Sequence, residues 1–243
     1  MTDPSQNLTD LLDLARRFAP RGVGVGVADP TQSPATVLPE EAPAIATAIP
    51  KRKREFAAGR RAARQALQSL DLPAVAIPKG TDRAPVFPTG IAGSITHNRD
   101  AALAIVAPQT RFRTLGVDVE PQAPLKPELI KAICTPDEAA MLATLPETER
   151  LFLARRLFSA KEAVFKAQFP ITRQVFGFQA ASITFNALRS GFVATFHRDI
   201  ASISAGSTVS GQCGVAGGHI LTMVTLGAVV GTENANFPVC ATG

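Results

Sequence analysis

The sequence predicts an α+β fold made of two consecutive halves, each a small, mostly antiparallel sheet packed with helices. Three observations predict it. Helical and strand-like periodicities come in blocks, helices then strands, and that order occurs twice with a division near residue 114. The links between successive strand segments, such as Asn98-Arg99-Asp100, are too short to contain a crossover helix, so neighbouring strands run antiparallel. A chain of 243 residues, 46% hydrophobic and 19% charged, can bury the core of one large or two small domains. The halves expected are 1–114 and 115–243.

Residues 8–18 form a short amphipathic helix through Leu11, Leu12 and Phe18. The Gly/Val alternation of 22–27 reads as a strand; its glycine spacing and the following Asp29-Pro30 do not fit a dinucleotide loop. Residues 30–50 are Pro- and Ala-rich, part loop and part short helix. Pro50 opens a helix over about 51–70, with Phe56, Ala63, Leu67 and Leu70 on one face and Lys53, Arg60 and Arg64 on another. After the loop of 71–90 come two strands, 91–97 and 101–107, and a third over 113–120 that stops at Pro121. Residues 125–145 hold one or two helices, the second opened by Thr135-Pro136-Asp137-Glu138. A long helix over 148–168 is halted by Pro170. Residues 182–186, 191–197 and 219–226 are β-like, and the small, polar stretch 201–218 reads as a flexible loop.

The composition is globular rather than disordered. No apolar run reaches the ~20 residues of a membrane helix; the longest, 220–230, carries Thr222, Thr225 and Gly227. The N-terminus is polar and acidic, unlike a signal peptide, so a cytoplasmic location is expected. Cys134, Cys213 and Cys240 have neither disulfide-framework nor zinc spacing and read as reduced thiols, and His97, His197 and His219 are equally scattered. Between Lys51 and Arg64 seven bases face one acid, Glu55, a local excess larger than the net +5 of the whole chain. An anion is expected to dock there: nucleic acid, an acidic protein or a phosphorylated small molecule.

Three short segments can carry chemistry. In Gly116-Val117-Asp118-Val119-Glu120, alternation turns Val117 and Val119 to the core and places Asp118 and Glu120 together on the other face. Two carboxylates one pleat apart repel unless a cation lies between them, and a hard, oxygen-seeking ion such as magnesium suits them; a solvated acidic strand face is the plainer alternative. In the segment 158–166, Arg155, Ser159, Glu162 and Lys166 share one helix face. Glu162 and Lys166 are either an ordinary i, i+4 ion pair or charged groups with a task on a helix rich in Leu, Phe and Ala. Ser94-Ile95-Thr96-His97 ends a strand with a hydroxyl beside a histidine, which either caps a turn or handles phosphate and protons. The absence of Trp and Tyr weighs against stacking on single-stranded nucleic acid.

Taken in order, these segments resemble the 4′-phosphopantetheinyl transferases of the surfactin and enterobactin type. The resemblance spans about 51–185. It rests most on 116–120 and 158–166, some forty residues apart, and is supported by 56–64, by Gly93-Ser94-Ile95-Thr96-His97 and by Lys79-Gly80 with Arg83-Ala84-Pro85. Thr96 stands where the family commonly has Ser, and Phe158 where it has Trp. The resemblance implies two similar halves packed as a pseudo-dimer, with coenzyme A in the cleft between them. It implies that Asp118, Glu120 and Glu162 hold magnesium, or manganese, against the coenzyme A pyrophosphate. Glu162, directly or through a water, would deprotonate the serine of an apo acyl or peptidyl carrier protein, and 3′,5′-ADP would leave. Lys166 would stabilise the pyrophosphate charge or protonate the leaving group. Arg60, Arg64, Arg83 and His97 would grip the phosphates, with Lys79, Thr96 and Lys161 as further coenzyme A contacts. Carriers of this kind are acidic helical bundles, which a basic rim would attract. The resemblance further implies a monomer, secondary-metabolite or siderophore carriers as partners, and neither nucleic acid nor membrane. A basic nucleic-acid-binding module would leave the three carboxylates idle; a metal-dependent phosphohydrolase would use them with water as nucleophile.

Overall fold

The computed structural model describes residues 4–32 and 36–228. Cys240 and the C-terminal tail lie outside the described residues. In chain order the elements are α1 (Pro4–Phe18), β1 (Gly24–Ala28), α2 (Pro50–Gln68), β2 (Ile91–His97), β3 (Ala102–Pro108), β4 (Phe112–Pro121), α3 (Ile130–Ile133), α4 (Pro136–Ala143), α5 (Glu147–Thr172), β5 (Ala181–Phe185), β6 (Gly191–Phe196), β7 (Thr208–Ala216) and β8 (His219–Gly227). All pairings are antiparallel, in a three-stranded sheet β1-β3-β2 and a five-stranded sheet β4-β8-β7-β6-β5. The fold is therefore α+β, as the short strand links require. No described helix is long and apolar enough to cross a membrane.

The order within each half is strand, helix, strand, strand rather than helices then strands. β1 and β4 each precede their helix and then pair with the last strand of their half, β3 and β8. The second half adds β5 and β6 at its outer edge. Two glycines show that the helix–strand packing has the same register in both halves. A Cβ on Gly26 would lie 2.1 Å from Ala62 O and 2.7 Å from Ala66 N; one on Gly116 would lie 2.0 Å from Ala163 O and 2.7 Å from Ala167 N. Each glycine lets a helix backbone lie directly on the strand, closer than any side chain permits. By this register Ala28 and Arg61 of the first half correspond to Asp118 and Glu162 of the second, so the acidic chemistry sits on one half only.

Three apolar clusters hold the layers. α2 covers the three-stranded sheet through Ala58, Ala62, Ala66 and Leu67. α5 covers the five-stranded sheet through Leu157, Ala160, Val164 and Ala167. A third cluster joins α1 to both sheets through Leu11, Leu14, Val25, Leu103, Ile105, Val117, Val119 and Leu221. β2 and β4 meet along a seam where side-chain hydroxyls replace a backbone ladder: Val117 N donates to Ser94 Oγ (3.1 Å) and Val119 N to Thr96 Oγ1 (3.2 Å). Their alternate placement on β2 satisfies successive inward N–H groups of β4.

Two further expectations are corrected. The stretch expected to be a loop over 201–218 contains β7, inserted between β6 and β8. Its sequence, rich in Gly, Ser and Thr, hides the strand because backbone pairing on both sides and close packing replace hydrophobic patterning: a Cβ on Gly211 would strike the Phe192 ring at 2.2 Å. Pro170 does not halt α5, which runs on to Thr172. Proline there loses one helical hydrogen bond near an end that closes anyway, with Arg173 in the left-handed region (φ 55°) and its N–H on Phe169 O at 2.9 Å. At α4 the expected start is a complete capping box between Thr135 and Glu138. Cys134 and Cys213 are free, buried thiols.

Candidate active site

The seam between β2 and β4 places Asp118 where both halves reach it. Its side chain is 6% exposed and accepts three hydrogen bonds: Thr96 Oγ1 from β2 (3.1 Å), Ser159 Oγ from α5 (2.9 Å) and Lys166 Nζ from α5 (2.7 Å). Lys166 Nζ also donates to Val117 O at 3.2 Å. Ser159 is in turn fixed by Thr222 of β8, whose Oγ1 lies 2.9 Å from Ser159 Oγ and donates to Ser159 O at 2.9 Å. The helix-face row Arg155, Ser159, Glu162 and Lys166 thus faces the carboxylate side of β4. Lys166 turns to Asp118, whereas the sequence left it a possible i, i+4 partner of Glu162.

Glu120, one pleat further along β4, receives Arg155 Nη1 at 2.8 Å, while Arg155 Nη2 donates to Pro124 O at 3.2 Å. Burial, followed by the charge of Asp118, pushes the Glu120 carboxyl up to about 7 despite Arg155 and Lys166. Glu162 is raised as well, first by burial and then by Asp118, against the opposing pull of Lys166. The Glu120 and Glu162 carboxyls thus both feel the charge of Asp118 in a partly buried setting. Their donor chemistry fits a hard divalent cation: oxygen only, anionic and partly buried. As placed, no three His, Cys, Asp or Glu side chains among the described residues gather closely enough to coordinate an ion. Lys166 and Arg155 hold Asp118 and Glu120, so coordination requires these side chains to exchange partners.

A prediction follows from Glu120. An unfolded Glu ionises near 4.5 and the folded one near 7, so stability present below pH 4.5 is lost as pH rises toward 7. Glu120→Gln removes that loss, at most about 3 kcal/mol from the shift, less about 1 kcal/mol for the weakened Arg155 contact. The variant is expected to melt above the parent at pH 8 in chelator and to show a smaller advantage at pH 5. An advantage independent of pH contradicts this.

On the first-half side, His97 Nε2 accepts from Arg52 Nη1 at 2.7 Å, and Nδ1 lies 3.9 Å from Glu55 Oε2. Burial, then the Arg52 charge, lowers the ring to about 4, and Lys166 and Arg60 act in the same direction. His97 is therefore neutral at pH 7 with its proton on Nδ1. Arg60 is buried, its guanidinium 4.1 Å over the Phe56 ring and its Nε donating to Ile77 O at 2.5 Å. A groove of about 750 Å³ runs from this seam toward the end of α5, lined by Gly80, Arg83, Phe87, Ser94, Lys166 and Phe169. On the other flank of Glu162 lies a small apolar cavity of about 140 Å³ bounded by Phe165, Val175, Phe176 and Phe178.

The structure thus brings Asp118, Glu120, Glu162, Lys166, Thr96, His97 and Arg60 to one region. Thr96 is 3% exposed and supports Asp118 rather than facing the cleft. Arg83 lines the groove and Lys79 is exposed on the same tight loop, which closes through Gly80 N–Ala84 O (2.8 Å) and Val86 N–Pro78 O (2.9 Å). Two expected contacts lie elsewhere. Arg64 is taken by Glu41, a fully buried carboxylate 2.7 Å away that also accepts from Ile77 N. Lys161 points away from Asp118 and is buried against Glu138 at 2.6 Å. Sequence reasoning passed over Arg52, although it lies in the basic stretch, and Thr222, which carries no motif signal.

The family model described as 4'-phosphopantetheinyl transferase N-terminal domain matches residues 40–107, and that of the 4'-phosphopantetheinyl transferase superfamily matches 114–224. The chain is 39% identical over 200 residues to 4'-phosphopantetheinyl transferase PptT of Mycobacterium tuberculosis, covering 79% of this chain and 86% of that protein. The chain belongs to the 4′-phosphopantetheinyl transferase superfamily. It is 38% identical over 197 residues to 4'-phosphopantetheinyl transferase Npt of Nocardia iowensis (76% of this chain, 87% of that one). It is 39% identical over 122 residues to enterobactin synthase component D of Escherichia coli K12 (48% and 55%). The two transferase models meet in the stretch that turns from β3 into β4. As a phosphopantetheinyl transferase, the protein moves the 4′-phosphopantetheine group of coenzyme A to a carrier protein.

Proposed function

We propose that this transferase works at the β2–β4 seam, with Asp118, Glu120 and Glu162 as magnesium ligands, manganese being an acceptable substitute. Arg52, Arg60, His97 and the Lys79–Arg83 loop hold the nucleotide phosphates of coenzyme A. The observation that carries the reading is Asp118. It is a buried carboxylate held by hydrogen bonds from both halves and electrostatically coupled to two further carboxyls and an ammonium.

The serine oxygen of the apo carrier attacks the phosphorus that bears the pantetheine. A new P–O bond forms, the pyrophosphate P–O bond breaks, and 3′,5′-ADP departs. Glu162 takes the serine proton, directly or through a water; burial raises its proton affinity and makes it a stronger base than an exposed carboxylate. Lys166, already 2.7 Å from Asp118, supplies positive charge to the pyrophosphate and a proton for the leaving oxygen. Neutral His97 donates to phosphate through its Nδ1–H, while the guanidiniums of Arg52, bonded to His97 Nε2, and Arg60 supply positive charge. The cation, when bound, neutralises negative charge developing on the bridging oxygen. Positioning provides most of the remaining acceleration.

The chain is proposed to act as a monomer in the cytoplasm, since its two halves already enclose the cleft, on acidic carriers of secondary metabolism. The test is direct. The protein is incubated with coenzyme A, magnesium and several apo carriers, and the carriers are weighed by mass spectrometry. A phosphopantetheine mass gain is expected, abolished by Glu162→Ala and by chelator. Undiminished transfer by both Asp118→Ala and Glu162→Ala contradicts the ligand assignment. Release of free 4′-phosphopantetheine and 3′,5′-ADP without carrier modification would instead favour hydrolysis.

A further inference from the structure

Lys161 and Glu138 form a pair that the chemistry above does not use. Lys161 Nζ donates to Glu138 Oε2 (2.6 Å), Ile133 O (2.9 Å) and Phe178 O (3.0 Å). An ammonium has three N–H groups, so none is left for a ligand. Glu138 is equally committed: Oε2 also accepts from Thr135 N (2.7 Å) and Oε1 from Ile183 N (2.7 Å). The side chains are 3% and 5% exposed. One ion pair thereby ties the end of α3, the start of α4, the turn before β5 and β5 itself to α5, at the residue directly before Glu162.

Stability is a weak reason for such a pair. Removing two charges from water costs much of what their attraction returns, and neutral replacements of similar shape are often no less stable. Apolar packing of α5 on the sheet is non-directional and by itself sets the rotation of the helix less sharply than hydrogen bonds do. Saturated, short hydrogen bonds fix that rotation. On the opposite side, Ser159 ties the helix to Asp118 and Thr222. Glu162 lies between these two anchors, and a displacement of about 1 Å at a reacting group can cost roughly a hundredfold in rate.

We propose that the Lys161–Glu138 pair is a positioning device for phosphopantetheine transfer: it sets the rotation of α5 that holds Glu162 beside Asp118. The inference rests on the role proposed above for Glu162.

The test is the double variant Lys161→Met/Glu138→Gln, which removes both charges and keeps the volume. It is expected to fold but to melt several degrees below the parent, because Ile133 O and Phe178 O lose their donor, whereas kcat falls at least tenfold with KM for coenzyme A within about twofold. Amide exchange over residues 158–163 is expected to accelerate at least tenfold. Parental kcat in the folded double variant, or unchanged exchange in this stretch, overturns the proposal. If the double variant does not fold, Glu138→Asp, which keeps both charges and shortens the tie, is expected to show the same split between kcat and KM, and parental kcat there overturns it equally. Should Glu162→Gln transfer at the parental rate, the Glu162 assignment fails, and the exchange measurement alone decides whether the pair holds the helix.

Discussion

Asp118→Asn is expected to lower kcat/KM for transfer by at least about a thousandfold, equivalent to ~4 kcal/mol of transition-state stabilisation. The substitution keeps the side chain's shape and one acceptor oxygen for Thr96 or Ser159, so the fold should survive with a melting temperature within a few degrees of the parent. What it removes is the negative charge that three other groups depend on. Lys166 loses its partner at 2.7 Å, the electrostatic pressure on Glu120 and Glu162 falls, and the strongest anionic donor to a cation disappears. A loss smaller than about tenfold in a folded variant would show that Asp118 is a structural acid of the seam.

Gly116→Ala is expected to be the most damaging single-methyl change to the fold. Its Cβ would lie 2.0 Å from Ala163 O, a backbone atom of α5 that cannot rotate aside. Strand and helix would have to separate by more than 1 Å, opening a core that is close-packed on both sides. A loss of about 3 kcal/mol or more, or failure to fold, is expected by urea denaturation. Gly26→Ala should cost a similar amount, because a Cβ there would lie 2.1 Å from Ala62 O in the equivalent packing of the first half. Gly177→Ala is the control, with no atom within 4 Å and an expected change under about 0.5 kcal/mol. Equal, small effects at all three positions would contradict the close helix–strand packing that both halves share.

The parts of this protein legible in its sequence are those where local spacing and chemistry coincide. Alternation on β4 separated Val117 and Val119 from Asp118 and Glu120, and helical spacing on α5 put Ser159, Glu162 and Lys166 on one face. Both follow from periods of two and 3.6 residues. The illegible parts depend on partners distant in the chain. Nothing near Arg64 announces that Glu41, in an unpatterned segment, will bury against it. Nothing around Lys161 distinguishes it from Lys166, yet one faces Glu138 and the other Asp118. β7 escaped because a strand paired on both sides needs no hydrophobic alternation when glycines let Phe192 and Phe18 press against it. Thr96 looked like a ligand contact because it sits beside His97, but alternation on β2 turns it inward to Val119 N and Asp118.

The account depends on three carboxylates, two from β4 and one from α5, meeting around one cation that also faces a diphosphate. A crystal of the protein grown with coenzyme A and manganese, measured for anomalous scattering, tests this most directly. The expected result is a single anomalous peak within about 2.0–2.4 Å of oxygens from Asp118, Glu120 and Glu162, beside the pyrophosphate, with Lys166 moved from Asp118 toward phosphate oxygen. Bound coenzyme A with no peak there, or a peak more than about 4 Å from the Glu162 carboxylate, would contradict it.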